Sequence, residues 1–271
     1  MSADPVTDDD RGRLLAAYDE QLRTDAETPG ALSVVVLGPL RLVTFAGGRG
    51  FVTYRDLGGA DADEIVRLVG AAVARFEADP AITRVEWKTR SHDHAPGLHQ
   101  VLLDHGFSPE EPESIMIGEA ERLAVDVPLP DGVSLRRIEE EADVRAMCAM
   151  SARAFGDSED EAAEMSDALL RRLALDDGME LWVAEADGRV VSAGRLEPVA
   201  GTDFAGIWGG STLEEWRGRG IYRALTAARA SSALRAGKAL IHSDSTEYSR
   251  PILERYGFSK VSTTTPYEWR R

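Results

Sequence analysis

The sequence predicts an α/β fold built as two units, and three observations carry that reading. Apolar residues recur at separations of three and four in some stretches and alternate in others, so helices and strands interleave along the chain. The stretch Val101-Leu102-Leu103-Asp104-His105-Gly106-Phe107-Ser108 resembles Ile252-Leu253-Glu254-Arg255-Tyr256-Gly257-Phe258-Ser259, and each ends a short helix before a last strand. Gly ends helices generally, so this repeat gains its weight from the similar order of elements upstream. Between the two, residues 122–132 hold Pro128, Pro130 and Asp131-Gly132 as breakers, which separates a unit at 1–125 from one at 131–271.

The elements follow in order. Leu14, Leu15, Tyr18 and Leu22 predict a helix over 11–24. Leu32 to Leu37, Leu40 to Phe45 and Phe51 to Leu57 read as strands, punctuated by Gly38-Pro39 and Gly47-Gly48. Asp61 to Phe76 reads as a helix with Ile65, Leu68, Val69, Ala72 and Val73 on one face, capped by Asp61 or Asp63. Ile82 to Lys88 is a strand, Leu98 to His105 a short helix, and Ile115 to Ile117 the core of a last strand. The second half opens with a strand at Val133 to Ile138. A helix follows with Val144, Met147, Cys148, Ser151 and Phe155 on one face, then an acidic helix at Glu159 to Leu173. Leu181 to Ala186 and Arg189 to Leu196 flank Asp187-Gly188, a two-residue hairpin signal, because Gly accepts the positive φ that such a turn demands. Phe204 to Leu213 is a strand, Ile221 to Leu234 a helix, Ala239 to Ser243 a strand, Ser249 to Tyr256 a helix, and Phe258 to Trp269 the closing strand or strands.

Charge and composition exclude several partners. The chain has 271 residues and a formal net charge of −16, which argues against a general nucleic-acid coat or a binder of anionic membranes. One cysteine rules out an internal disulfide framework. No apolar run is long enough to span a bilayer, and the acidic start at Asp8-Asp9-Asp10 is unlike a secretory signal, so a cytoplasmic location is expected. The charge is uneven: residues 1–130 carry a net −11, residues 131–213 a net −10, and residues 214–271 a net +5. A solvated basic helix face explains a cationic end, and so does a local anion site.

One motif bears on that choice. Trp216-Arg217-Gly218-Arg219-Gly220-Ile221-Tyr222-Arg223-Ala224-Leu225 lies between a predicted strand and a predicted helix. Its glycines allow a tight turn and a close backbone approach to a ligand. The free N–H groups and positive dipole end of the following helix, with Arg217 and Arg219 beside them, suit a pyrophosphate. It is neither a Walker loop nor the dinucleotide fingerprint, and a basic surface turn is the plainer alternative.

Arg217 to Tyr222 resembles the R/Q-x-x-G-x-G/A acetyl-CoA loop of the GNAT superfamily of acyl-CoA N-acyltransferases. The order of elements from Leu181 to Phe258 agrees, with Asp187-Gly188 at the hairpin and Gly257-Phe258 near the end. The resemblance covers residues 131–271 well and the first half in outline. It implies two GNAT-like units, each a mixed, mostly antiparallel sheet flanked by helices, with the second complete and the first degenerate and non-catalytic. It implies acetyl-CoA as cosubstrate and transfer to a primary amine of a small molecule or protein by direct attack in a ternary complex. Main-chain N–H groups of Arg219, Gly220, Ile221 and Tyr222 would hold the pyrophosphate, with Arg217 and Gly218 completing the loop. Ser211, Thr212 and Leu213 would pair with pantetheine and polarise the thioester, after a bulge at Gly209-Gly210. Close packing of that strand on a helix explains the two glycines equally well.

Three departures from the family pattern matter. Tyr222 stands where the loop's last small residue would be, so its ring must turn away from phosphate. Leu253 occupies the place of the family's usual tyrosine acid, and Thr246 that of a frequent Asn. Tyr256 is off register and reads as packed core. Asp244, ending the strand beside the cofactor strand, is the first candidate for a base, although a cap or turn residue is its more common role. Ser249, starting the next helix, is a second candidate contact, also open to a capping role. Tyr248 and His242 are weaker alternatives.

The remaining features weigh less. His92, His94, His99 and His105 cluster, but without a Cys or a closed ligand set they read as a surface loop rather than a metal site. Cys148 reads as a buried inert thiol. In the first half, Leu57-Gly58-Gly59-Ala60-Asp61 is where a second phosphate loop would fall, and Asp61, Asp63 and Glu64 there repel a pyrophosphate. The runner-up function is a non-catalytic acyl-CoA-binding regulatory module; an Arg-Gly nucleic-acid binder conflicts with the net charge. Residues 139–177 hold 12 Asp/Glu against 4 Arg, which favours a cationic amine acceptor unless they are simply a solvated face.

Overall fold

The computed structural model describes residues 7–271. In chain order its elements are α1 (Asp8–Gln21), β1 (Ser33–Leu37), β2 (Leu40–Phe45), β3 (Arg49–Thr53), α2 (Ala62–Glu77), β4 (Arg84–Arg90), α3 (Leu98–Asp104), β5 (Ser108–Pro109), β6 (Glu113–Glu119) and α4 (Ala120–Leu123). They continue with β7 (Val133–Ile138), α5 (Glu141–Phe155), α6 (Glu159–Leu173), β8 (Glu180–Ala186), β9 (Arg189–Pro198) and β10 (Phe204–Thr212). The last are α7 (Ile221–Arg235), β11 (Leu240–Ser245), α8 (Arg250–Tyr256) and β12 (Ser259–Arg270). The class is α/β, as expected.

Contacts divide the chain into two compact units. The first takes the residues up to Met116 together with Asp244–Ile252 and Ser259–Arg271; the second takes Ile117–Ser243 and Leu253–Phe258. Chain order and spatial grouping therefore differ near the C-terminus. The physical reason is strand pairing: β12 runs antiparallel to β4, with Thr264 opposite Arg90 and Arg270 opposite Arg84.

The first unit is a meander followed by a crossover. β1, β2 and β3 pair antiparallel in succession. α2 then returns the chain so that β4 lies parallel to β3, from Arg49 opposite Arg84 to Val52 opposite Trp87, because parallel neighbours need a crossover and a helix supplies it. Asp61 caps α2, accepting from the Glu64 N–H at 2.9 Å, and Ile65, Leu68, Val69, Ala72 and Phe76 bury its apolar face. Their core continues through Trp87, Leu98, Leu102 and Phe107. The strand expected at Phe51 to Leu57 ends at Thr53. Past that point the Tyr54 carbonyl is taken by the Arg23 guanidinium, at 3.1 Å from Nε and 2.8 Å from Nη2, instead of by a ladder.

The second unit repeats the plan. β7, β8, β9 and β10 pair antiparallel, and α7 crosses over so that β11 runs parallel to β10. Asp187 and Gly188 take φ of 51° and 72°, the left-handed pair that a two-residue hairpin requires. α6 starts in a capping box between Ser158 and Glu161. Val144, Met147 and Cys148 face the core with Leu181 and Val183. Phe155, expected on that same face, is exposed instead; it is the last residue of α5, and Gly156 at φ 87° turns the chain away.

Candidate functional site

The second unit holds a strand that leaves its neighbour and a helix that begins uncapped. The parallel ladder between β10 and β11 runs Phe204–Leu240, Ala205–Ile241 and Gly206–His242. β10 then continues to Thr212 against β9 alone, and its register on β9 slips between Trp208 and Ser211. Gly209 sits in this bulge at φ 60°, as the glycine pair suggested. At the last ladder pair, His242 meets Trp208 and Phe204 edge to face, with centroids 5.2 and 5.8 Å apart.

Ser211, Thr212 and Leu213 lie on the freed stretch. The β9 side engages them: the Ser192 hydroxyl donates to the Ser211 carbonyl at 2.6 Å, and the Leu213 N–H donates to the Val191 carbonyl at 3.0 Å. Ser211 Oγ also meets Ser151 Oγ of α5 at 2.9 Å.

The loop between β10 and α7 is built to expose donors. Gly218 and Gly220 take φ of 74° and 81°, and open space lies where a Cβ at either would stand. Gly220 is the N-cap of α7 and supplies no side-chain cap, and the first turn of α7 carries no acidic residue. The N–H groups at the start of α7, Ile221 and Tyr222 among them, have no carbonyl of the helix to meet, and the positive dipole end is there too. The arginines play different parts. Arg217 ties the loop down, donating to the Thr212 carbonyl at 3.1 Å and the Ala154 carbonyl at 3.4 Å. Arg219 lies over the Trp216 ring at 4.7 Å and is exposed. This arrangement fits a pyrophosphate: uncapped donors, a glycine backbone with room in front of it and free cationic charge.

Residues 149–269 match the family described as Acetyltransferase (GNAT) domain. The match spans just under half of the chain, and that stretch is similar to a GNAT domain. In fold the chain is similar to a GCN5-related N-acetyltransferase from Kribbella flavida, with TM-score 0.67, 17% identity and 95% of each chain covered. It is similar also to a tandem GNAT protein from the clavulanic acid biosynthesis pathway, with TM-score 0.66, 15% identity and 98% and 96% of the two chains covered. A third likeness is to a functionally unknown conserved protein from Staphylococcus epidermidis, with TM-score 0.67, 14% identity and 92% and 98% covered. At such identities these likenesses speak to the fold. No curated protein matches the chain in sequence.

Within the matched stretch, Tyr222 solves its steric problem by packing under the bulge. A Cβ at Gly210 would come within 2.6 Å of its ring, so only glycine leaves the room. The ring stands 6.3 Å from that of Tyr256, and burial pushes the Tyr256 phenol up. Beneath lies Arg229, which the sequence reading passed over. Its guanidinium is 0% exposed, donates to the carbonyls of Leu225 and Arg195, both at 3.2 Å, and stacks 6.0 Å from the Tyr222 centroid. Burial lowers its pKa, and Tyr222 pulls in the opposite direction. No carboxylate is among these partners.

Leu253, where the family's tyrosine acid would be, is 1% exposed and apolar. The other candidates belong to the first unit. The Asp244 carboxylate receives the Lys88 ammonium at 2.7 Å, and both are largely buried. Asp244 lies in a charged cluster: burial pushes the Glu86 and Glu113 carboxyls up, and Lys88 also approaches Glu27 at 4.0 Å. Ser249 bonds back within its own turn, Oγ donating to the Thr246 carbonyl at 3.2 Å, which is a turn bond and not a helix cap, since a cap accepts a backbone N–H. Tyr248 is 91% exposed.

The first unit's counterpart of this geometry is occupied by its own side chains. Beyond Val52 and Trp87, Arg23 takes the Tyr54 carbonyl, and Arg90 donates to Thr53 Oγ1 at 3.1 Å while pairing with Glu27. Arg23 is fixed in turn by Asp93 at 2.8 Å. Of the clustered histidines, His99 bonds the Tyr267 hydroxyl at 2.7 Å and His105 the Val101 carbonyl at 2.8 Å. Among the described residues, no group of three or more His, Cys, Asp or Glu is arranged to hold a metal ion. Burial pushes the Cys148 thiol up.

Proposed function

We propose that the GNAT domain moves an acetyl group from acetyl-CoA to a primary amine of a small molecule or peptide, by direct attack in a ternary complex. The observation that carries this reading is the start of α7, where Gly218 and Gly220 hold an uncapped helix end open to solvent. In this reading the amides from Arg219 to Tyr222 bind the pyrophosphate, and Ser211, Thr212 and Leu213 offer the freed strand to pantetheine. Positioning the amine against the thioester supplies most of the rate. The amine must lose a proton, and Asp244 is the proposed base. Its bond to Lys88 shows that the carboxylate accepts an ammonium, and an acceptor amine would compete for that place. Ser249 is retained as a polar contact near this base.

The acceptor is proposed to be cationic, from the acidic residues of 139–177. Nucleic acid and membrane are not proposed partners; no helix among the described residues is long and apolar enough to cross a membrane. A cytoplasmic location belongs to the same proposal. Only the second unit is assigned acetyl-CoA, because Asp61 caps α2 and side chains fill the β3–β4 opening. A second reading, an acyl-CoA-binding regulatory module without turnover, is favoured by Leu253 at the acid position. Thiol release from acetyl-CoA over a panel of amines separates the two. Calorimetric titration with CoA is expected to give about one site per chain, and two sites would overturn the assignment to one unit.

A further inference from the structure

The two units differ at the strand that flanks their meanders. In the second unit β8, β9, β10, α7 and β11 follow in order, and β7 lies antiparallel along the outer side of β8, from Val133 opposite Ala186 to Ile138 opposite Leu181. In the first unit β1, β2, β3, α2 and β4 follow in the same order, but among the described residues β1 pairs with β2 alone. The place that β7 fills beside β8 is therefore open beside β1. Burial follows the difference. β8 carries no exposed side chain, whereas Ser33, Val34, Val35 and Val36 are all exposed. Val36 is 68% exposed, and Leu32, just before the strand, 70%.

Water does not suit that edge. A strand at the margin of a sheet offers unpaired N–H and C=O groups, and proteins guard such margins with charge or proline. β7, itself an outer strand, carries Arg136 and Arg137. β1 reads Ser-Val-Val-Val-Leu with no such guard, and no charged residue lies between Glu27 and Arg41. Its valines lie on both faces, Val35 opposite Leu42 and Val34 opposite Val43. The hairpin fixes which main-chain groups are free. Leu37 and Leu40 flank the two-residue turn Gly38-Pro39, and such a turn closes on a bonded pair. Bonded and non-bonded pairs alternate along an antiparallel ladder. Ser33, Val35 and Leu37 therefore spend their main-chain groups on β2, and those of Val34 and Val36 point outward.

We propose that β1 is the seam of a two-fold dimer, in which it pairs antiparallel with β1 of a second copy of this chain. The chain's own strand has the chemistry the opening asks for: extended, uncharged and apolar on both faces. In a pairing centred on Val35, Val34 lies opposite the partner's Val36 and Val36 opposite the partner's Val34. The outward groups of the two copies then exchange four hydrogen bonds. Val35 meets the partner's Val35 across the axis in a non-bonded pair, where side chains come closest. One patch serves both copies, so the assembly closes at two. A net charge of −16 on each chain opposes association, and a seam without charged residues is where two such chains meet with least repulsion.

The test is the mass of the purified full chain by light scattering and sedimentation velocity, at concentrations up to about 100 μM. A dimer is expected, without larger species. Val36→Lys is expected to raise its dissociation constant more than about tenfold, with the far-UV spectrum unchanged. Cross-linking reads the register. Cα atoms of a non-bonded antiparallel pair lie about 4.5 Å apart, within disulfide range. Val35→Cys is therefore expected to form a covalent dimer under mild oxidation. Val36→Cys, which faces the partner's Val34, is expected to stay uncoupled, and the native Cys148 is buried. A wild-type chain that remains a monomer at about 100 μM overturns the proposal and leaves the edge to a strand of another protein. So does a dimer that Val36→Lys leaves intact, an assembly that grows beyond two copies, or equal cross-linking of the two cysteine variants.

Discussion

Helices α2 and α7 follow the same step of the same plan and begin in opposite ways. α2 starts under the Asp61 carboxylate, with Asp63 and Glu64 in its first turn. α7 starts at Gly220, with no side-chain cap and no acid in its first turn. The strands ahead of them differ in the same sense. β3 gives its next carbonyl to Arg23, while β10 bulges at Gly209 and runs on to Thr212 past the end of its ladder with β11. The contrast teaches that this fold alone does not make an anion site. Such a site needs backbone donors left unsatisfied, which costs stability. In the first unit Asp61 takes the Glu64 N–H and Arg23 takes the Tyr54 carbonyl.

The sharpest way to break that comparison is to unplug the first unit. Arg23 and Asp93 are both nearly excluded from solvent. Arg23→Met strands the carboxylate, so the expected loss is about 3–5 kcal/mol, read as a fall in melting temperature by calorimetry. A loss under about 1 kcal/mol would mean the network is ornamental and the first unit's opening is not held shut by it. The next effect is at the open helix. Gly220→Val puts a β-branched side chain into the space before the α7 amides at φ 81°. CoA affinity is expected to fall about 100-fold, near 2.7 kcal/mol, with the melting temperature little changed. Unaltered affinity by calorimetry would remove the loop from the site.

Much of this was legible because it rests on local rules. Asp187-Gly188, the Asp61 cap and the Gly218/Gly220 loop each follow from what a short segment can adopt, and the GNAT assignment came from the last of these. What was not legible depends on long-range pairing. β12 joins β4 from the other end of the chain, and no spacing within residues 259–270 announces its partner. Nothing in the sequence singles out Arg23, Arg90 or Lys88; only the fold brings Tyr54, Glu27 and Asp244 to them. His92 meets Ser262 at 2.6 Å and Asp19 at 3.1 Å, from two distant stretches, so in the sequence it looked like part of a surface loop. Arg229 was hidden for a different reason: a cation on a buried helix face contradicts the pattern, and only Gly194, which leaves room for its guanidinium, hints at it.

A smaller effect tests whether the α2 cap is what closes that helix to anions. Asp61→Ala removes the bond to the Glu64 N–H and is expected to cost about 1 kcal/mol in urea denaturation. It should add no CoA site, since Asp63, Glu64 and the filled opening remain. A second CoA equivalent in calorimetry would show that one carboxylate had been the whole barrier.

The smallest expected effect contrasts the buried pairs of the first unit with the surface pairs of the second. Arg136 holds Asp143 at 2.6 Å and Glu185 at 2.8 Å, and all three side chains are partly exposed. Hydrogen bonds from Arg136 hold both carboxyls below their usual ranges. Groups whose folded pKa lies below the unfolded value stabilise the fold above the unfolded value, near pH 4. That contribution is lost as pH falls through the folded values. Water screens the pair, so its worth is at most about 1 kcal/mol. Arg136→Gln is therefore expected to lower urea stability slightly at neutral pH and to converge on the wild type in acid. A gap between the two chains that persists below about pH 2 would show that Arg136 contributes by packing its stem between β7 and β8 rather than by charge.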